Sequence, residues 1–169
     1  CGRGVTCMGV MSRRGNSGKA LENLIEKEAK RYEQKGILML RKADPPSFTR
    51  NINGVPVTML TSNPFPDFVG IMEGRMLCIE AKSTKDDRLP FGKSGLRSKQ
   101  LDDLRQWRKF GAVSGVIWGN PLGYYWITLD DIDREAIKGK KSVKSCNGIK
   151  ICQSVNHVLD LEGLLVGYI

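Results

Sequence analysis

Two carboxylates and an amine surround an apolar stretch near the middle of the chain. Asp67 precedes the run FVGIMEGRMLCI, and Glu80 and Lys82 follow it with only Ala81 between them. Hard divalent cations such as Mg²⁺ and Mn²⁺ bind carboxylate oxygens and keep several of their waters. A lysine amine beside such a cation can orient or activate an attacking water and offset developing negative charge. This combination of residue types suits phosphodiester hydrolysis.

The run between these residues predicts a hairpin of two strands. A turn centred on Glu73 and Gly74 places Asp67 directly opposite Glu80. Cβ atoms of directly opposed residues lie roughly 4.5–5.5 Å apart, so the two carboxylates should meet at one end of the hairpin.

The residues that follow Glu80 complete this predicted site. Because side chains alternate between the two faces of a strand, Lys82 shares the face of Glu80. The carbonyl of Ala81, between them, offers a further oxygen ligand. A solvated strand edge with a surface salt bridge is the alternative interpretation. The flanking runs FVGIM and MLCI, typical of a strand buried on both faces, favour the site.

The wider pattern predicts a mixed α/β fold. Helical periodicity and end signals predict helices over 17–35, 98–110 and 130–138, the last with Asp130 as its N-cap. Strands are predicted in ILMLRK, DFVGIME, MLCIEAK, AVSGVIW and YYWITL, and Asn53–Gly54 predicts a further hairpin. Residues 138–150 form a predicted basic loop, and the Leu-rich tail fits a helix or a strand. This order of elements indicates a central sheet flanked by helices.

Length and charge restrict the class of protein. A chain of 169 residues most often forms one domain, here expected over 13–169, with 1–12 as an N-terminal extension and Met11 as a candidate start. The net charge of +9 favours a polyanionic partner, either nucleic acid or an acidic membrane surface. No apolar run approaches membrane-spanning length, so we expect a cytoplasmic protein.

Other metal and nucleotide chemistries find little support in the sequence. The five cysteines include no C-x-x-C pair, so Cys146, Cys152 and His157 are expected to be structural. The single histidine excludes nuclease motifs that require a histidine pair. The stretch GNSGKA lacks the first Gly and the Ser or Thr of a phosphate-binding loop, which excludes nucleotide hydrolysis.

Three blocks of sequence resemble a known family. Pro66–Asp67 followed by Glu80-Ala81-Lys82 is similar to the signature of the PD-(D/E)XK nuclease superfamily. More specifically, GKALENLIEKEAKRYEQKG, PDFVGIMEGRMLCIEAKST and KQLDDLRQWRKFGAVSGVIW resemble RecU-type Holliday junction resolvases over about 13–129. The resemblance implies a restriction-endonuclease-like mixed sheet flanked by helices. It also implies a homodimer, bacterial or phage-encoded, that cleaves four-way DNA junctions with Mg²⁺ or Mn²⁺.

The resemblance also assigns roles to individual residues. Asp67 and Glu80 match the family's metal-binding carboxylates, and Lys82 matches its catalytic lysine. Glu22, in GKALE of the first helix, matches an acidic residue near the metal, and Gln100 matches a glutamine of the active-site region. Residues 45–62 resemble the family's protruding stalk in a shorter form.

Two basic groups flank the predicted site and are candidates for holding DNA phosphates. They comprise Arg13, Arg14 and Lys19 around the start of the first helix, and Lys85, Arg88, Lys93, Arg97 and Lys99 after the catalytic strand. Two alternatives to a junction resolvase stay open on the sequence. One is another nuclease of the superfamily acting on linear or flapped DNA, and the other is a non-catalytic basic nucleic-acid-binding module.

Overall fold

The structure, a computed structural model, describes residues 17–45, 47–60, 65–92, 95–153 and 158–165. The predictions for Arg13, Arg14, Lys93 and His157 therefore lie outside the described residues. The helices are α1 (Ser17–Gln34), α2 (Ser98–Lys109) and α3 (Leu129–Ile137), with short 3-10 helices at Ser145–Asn147 and Glu162–Leu165. The strands are β1 (Leu38–Lys42), β2 (Ser47–Ile52), β3 (Val55–Leu60), β4 (Phe68–Met72), β5 (Arg75–Ser83), β6 (Leu89–Pro90), β7 (Val113–Asn120), β8 (Gly123–Thr128), β9 (Ser142–Val143), β10 (Ile149–Lys150), β11 (Cys152–Gln153) and β12 (Val158–Leu159).

A mixed sheet forms the centre of the fold. Within the described residues it has six strands in the order β1-β4-β5-β7-β8-β10. β5 and β7 run parallel, and the other neighbours are antiparallel. β6 pairs with β9 and β11 pairs with β12 in short separate ladders. The predicted fold class, a central mixed sheet flanked by helices, is confirmed.

The two faces of the sheet bury separate cores. On one face, α1 packs its buried Leu21 and Ile25 with Leu77 and Ile79 of β5. On the other face, α2 and α3 pack with residues that include Cys78 of the same strand. β5 is thus buried on both faces, as its nearly continuous apolar sequence predicts. Glu80 lies on the α2 face, because it alternates with Ile79.

The turn between β4 and β5 sets the register of the central hairpin. Glu73 and Gly74 both have positive φ angles, 51° and 74°, as a two-residue type I′ turn requires. The ladder pairs Phe68 with Ile79, so Asp67 is the next residue outward and lies opposite Glu80. The predicted register is confirmed.

A second hairpin, β2–β3, stands apart from the central sheet in the region predicted as a stalk. Its turn residues Asn53 and Gly54 also have positive φ angles, 52° and 82°. The ladder places six side chains on one face of this hairpin, and all six are exposed. Five are apolar and one is an arginine: Phe48, Arg50, Ile52, Val55, Val57 and Met59. The opposite face contains the polar pair Thr49 and Thr58, whose hydroxyls are 3.3 Å apart.

The C-terminal part departs from the sequence predictions in two places. The N-cap of α3 is Thr128 rather than Asp130, because the Thr128 hydroxyl accepts a hydrogen bond from the Asp131 amide and Asp131 reciprocates at the Thr128 amide. The predicted basic loop contains β9 and β10, and the tail contains a two-residue strand and a 3-10 helix instead of one regular element. Across the part of the chain that is described, no helix is long and apolar enough to cross a membrane.

Candidate active site

Asp67 is held at the end of the central hairpin by its main chain and by its side chain. Its carbonyl accepts a hydrogen bond from the Ala43 amide at 2.9 Å, which ties it to the end of β1. Its carboxylate Oδ2 accepts a hydrogen bond from the Ala81 amide, also at 2.9 Å. The carboxylate is therefore fixed against β5 by a backbone donor rather than by a flexible side chain.

Glu80 is the most buried charged group of the site. Its side chain is only 5% exposed, and its Oε2 lies 3.2 Å from Lys82 Nζ. The same oxygen accepts a hydrogen bond of 2.6 Å from Gln100 Nε2 in the first turn of α2. Gln100 is itself oriented through Oε1, which accepts a hydrogen bond from the Arg97 amide at 3.2 Å. The N-terminus of α2 and the end of β5 thus hold one another in place.

Burial and the neighbouring carboxylate both act on the charge of Glu80. Desolvation is the larger cause and the charge of Asp67 the next, and together they raise the pKa of Glu80 to about 7 in spite of the Lys82 ammonium. Two carboxylates facing each other with one amine leave an excess of negative charge in a poorly solvated place. A divalent cation is the chemical partner that such a pair accepts.

The donor set fits a small hard cation. The N–H and C=O of one residue in a strand point to the same side, and the Ala81 N–H points to Asp67. The Ala81 carbonyl therefore faces the end of the hairpin where the two carboxylates lie. Two carboxylates and one carbonyl leave positions for waters and a phosphate oxygen, as Mg²⁺ prefers. Within the described residues, no group of three His, Cys, Asp or Glu side chains gathers to form a cage.

Glu22 is placed differently from the other predicted site residues. It lies on α1 and pairs with Lys42 of β1, with 3.1 Å between Oε2 and Nζ. That ion pair joins the helix to the edge strand of the sheet. The structure does not group Glu22 with Asp67 and Glu80, and its role near a metal stays a prediction.

The basic candidates separate into distinct places. Arg97 and Lys99 line a cavity of about 260 Å³ together with both carboxylates and Gln100. Arg88 lines another cavity, of about 600 Å³, with lysines of the basic loop. Lys19 and Lys85 are exposed. Only part of the predicted DNA-binding set therefore adjoins the site directly.

Two residues at the site were not predicted from the sequence. Phe65 and Asp103 line the same cavity as the carboxylates. Asp103 lies three residues after Gln100 on α2, so helical spacing could have indicated it. Phe65 lies two residues before Asp67. The only feature of the sequence that indicates a role for it is that it is an aromatic residue beside the motif.

The sheet and the site together define the class of protein. A mixed sheet whose central hairpin ends in an opposed Asp and Glu, with a Lys two residues on, is the arrangement of PD-(D/E)XK nucleases.

Comparison with known proteins then specifies the family. The sequence model of RecU, described as recombination protein U, matches residues 16–168. The chain therefore belongs to the RecU family of Holliday junction resolvases, which are structure-selective nucleases. This match extends through the basic loop and the tail, beyond residues 13–129, which carry the resemblance in sequence motifs. A search of curated proteins gives no match.

Solved structures also resemble this fold. Archaeoglobus fulgidus Hjc, described as a Holliday junction resolvase from an archaeal hyperthermophile, is 17% identical with a TM-score of 0.51, and the alignment covers 76% of this chain and 94% of that one. A crystal structure of SSO0001 is 14% identical with a TM-score of 0.33, covering 73% of this chain and 60% of that one. The likeness to Hjc supports the nuclease fold.

Proposed function

We propose that this resolvase cleaves the strands of a four-way DNA junction by metal-dependent hydrolysis at the Asp67, Glu80 and Lys82 cluster. One observation carries the proposal: a buried glutamate faces an aspartate that is fixed by a backbone hydrogen bond, with a lysine amine 3.2 Å from the glutamate. A purely structural cluster has no need to set a buried glutamate against a second carboxylate with only one amine beside it.

Asp67, Glu80 and the Ala81 carbonyl are the proposed ligands of Mg²⁺, or of Mn²⁺ with the same donor set. When bound, the cation supplies Lewis-acid stabilisation of charge on the scissile phosphate. Lys82 is only partly exposed, with 21% of its side chain accessible. Its ammonium donates to the attacking water, orients it and offsets negative charge in the transition state.

Gln100 is a positioning residue in this proposal. Its amide holds one oxygen of Glu80 at 2.6 Å and leaves the rest of the carboxylate for the metal. Glu22, which pairs with Lys42 in the metal-free protein, is proposed as a further acidic residue near the metal.

The basic residues are proposed to hold the DNA backbone. Arg97 and Lys99 adjoin the carboxylates and contact the phosphates next to the scissile bond. The others lie further along the DNA: Arg13, Arg14, Lys19, Lys85, Arg88 and Lys93. The net charge of +9 supports this assignment.

A homodimer is proposed because a junction needs two matched cuts. The apolar face of the β2–β3 hairpin supports it: Val55 is 60% exposed and Phe48 is 49% exposed. Apolar side chains aligned on one face of a projecting hairpin gain from burial against a second copy. We further propose one nuclease domain over 13–169, with 45–62 as its stalk, in a cytoplasmic protein.

The test is a cleavage assay with labelled four-way junction, flap and linear duplex of the same sequence, each with Mg²⁺, Mn²⁺ or chelator. We expect paired, symmetric cuts in the junction. Asp67→Asn and Lys82→Ala should each lower the rate by about 10²–10³-fold while junction binding persists. Asp44→Asn and Lys109→Ala, which change exposed residues of the same types, serve as matched controls.

The substrate panel separates this proposal from its alternatives. Equal cutting of linear duplex and junction would indicate a nuclease of broader specificity. Junction binding with no metal-dependent cutting of any substrate would indicate a binding module. Full activity of either site variant would refute the catalytic assignment.

A further inference from the structure

A stacked aromatic pair lies at the rim of the cavity that contains the two carboxylates. The ring centroids of Phe65 and Trp107 are 5.7 Å apart, with 27° between the ring planes. Phe65 nonetheless remains 46% exposed. Because one face of the Phe65 ring lies on Trp107, much of its exposed surface belongs to the other side of the ring.

Phe65 lies close to the proposed catalytic carboxylates. It lines the cavity of about 260 Å³ with Asp67 and Glu80. Only the buried Pro66 separates it from Asp67 in sequence, and two residues of chain span at most about 7 Å. The ring therefore lies within roughly one nucleotide of the proposed scissile phosphate.

The groups around this ring are those that bind single-stranded nucleic acid. Arg97 and Lys99 line the same cavity and offer positive charge to the backbone. Aromatic rings beside such cations provide stacking platforms for bases, and each stacked base contributes roughly 1–3 kcal/mol. Trp107 also lines an adjoining groove of about 380 Å³ with the exposed Phe110, so the aromatic surface continues along α2.

We infer that Phe65, supported by Trp107, stacks on an unstacked base next to the scissile phosphate and so contributes to the selectivity for branched DNA. In a continuous duplex both faces of every base are covered by neighbouring bases. At a branch point a base can leave its stack at lower cost. The inference rests on the proposed nuclease function and adds a specificity-determining residue to it.

The first arm of the test detects stacking without relying on cleavage. Four-way junctions carry 2-aminopurine at each position beside the branch, and binding is measured in an Asp67→Asn background. The fluorescence of 2-aminopurine is quenched by neighbouring bases in a paired arm and rises when the base leaves that stack. We expect a rise at a position adjoining the cut site, retention of the rise with Phe65→Tyr, and its loss with Phe65→Leu. Ile137→Ala, which removes an exposed apolar side chain of α3, should behave as the parent protein does.

The second arm measures selectivity in the catalytically intact protein. Phe65→Leu should lower the ratio of junction to linear-duplex cleavage by roughly 10-fold, within the 5- to 150-fold range that loss of one base stack allows. Phe65→Tyr should restore the ratio, and metal binding measured by calorimetry should be unchanged in both variants.

The two arms also distinguish failure of this inference from failure of the proposed function. Absence of a fluorescence rise at every position with Phe65 intact overturns the stacking inference. Unchanged selectivity of folded Phe65→Leu overturns it as well, since leucine retains the packing on Trp107 but not the aromatic face. A fluorescence rise that is lost with Phe65→Leu, without any cleavage by the intact protein, would support the stacking and refute the proposed nuclease function.

Discussion

The substitution Glu80→Gln should stabilise the metal-free protein at alkaline pH. Glu80 is almost fully buried, and desolvation together with the charge of Asp67 raises its pKa from 4.5 to about 7. Between pH 4.5 and about pH 7, the Glu80 carboxyl keeps its proton in the folded protein but has lost it in the unfolded chain. Stability of the metal-free protein therefore falls as pH rises through this window, and it stays low above pH 7.

The magnitude follows from the same two pKa values. Each pKa unit corresponds to about 1.4 kcal/mol, so titration of Glu80 lowers the free energy of unfolding by about 3 kcal/mol in total. Glutamine has nearly the same shape and carries no charge, but it loses the ion pair with Lys82. We therefore expect Glu80→Gln to gain about 1–3 kcal/mol over the parent protein at pH 8 and to gain little at pH 5.

The assay is denaturant unfolding in chelator at pH 5, 6, 7 and 8. Glu73→Gln, which changes an exposed glutamate in the turn of the same hairpin, is the matched control and should follow the parent protein. Added Mg²⁺ should raise the stability of the parent protein at pH 8 and leave Glu80→Gln unchanged, because the ligand must be ionised to bind the cation. Parallel pH profiles for the parent protein and Glu80→Gln would refute the reasoning.

Three further predictions follow from the fold. One glycine inserted after Gly74 should shift the register and abolish metal-dependent junction cleavage in a nicking assay; retained cleavage would contradict the register argument. Gln100→Ala should lower that cleavage by roughly 10-fold through loss of a hydrogen bond to a charged group, whereas Asp102→Ala on the same helix should not. Val57→Lys on the apolar face of the β2–β3 hairpin should shift the protein to monomer in sedimentation velocity, and Thr58→Lys on the polar face should not; equal behaviour of the two would exclude this face as the dimer contact.

Local signals in the sequence predicted the centre of the fold. Turn residues of a type I′ hairpin, here Glu73 with Gly74, fix register by themselves, and strand alternation then determines which side chains share a face. The helix starting at Ser17 and the one starting at Ser98 were located by apolar spacing. These elements depend on residues that are neighbours in sequence, so a single sequence contains their determinants.

The parts that were missed depend on contacts between distant segments. The pairing of Leu89 with Val143 gives the basic loop regular structure, and no local pattern marks it. The Glu22–Lys42 ion pair is likewise a contact between distant segments that no local pattern marks. Asp130 was predicted as the N-cap from its position ahead of an amphipathic run. A capping box starting at Thr128 was an equally valid pattern, and it is the one the fold uses.

The site does not share the excess positive charge of the rest of the protein. Three carboxylates, of Asp67, Glu80 and Asp103, lie with three cationic side chains, of Lys82, Arg97 and Lys99, so their formal charges cancel. A chain with a net charge of +9 attracts DNA in general, yet this cavity in its metal-free state does not attract a phosphate. A bound cation would make the local charge positive, so metal binding and correct placement of the scissile phosphate should be coupled. In the proposed function, basic residues attract the DNA to the protein, and the cation then draws the scissile phosphate into the site.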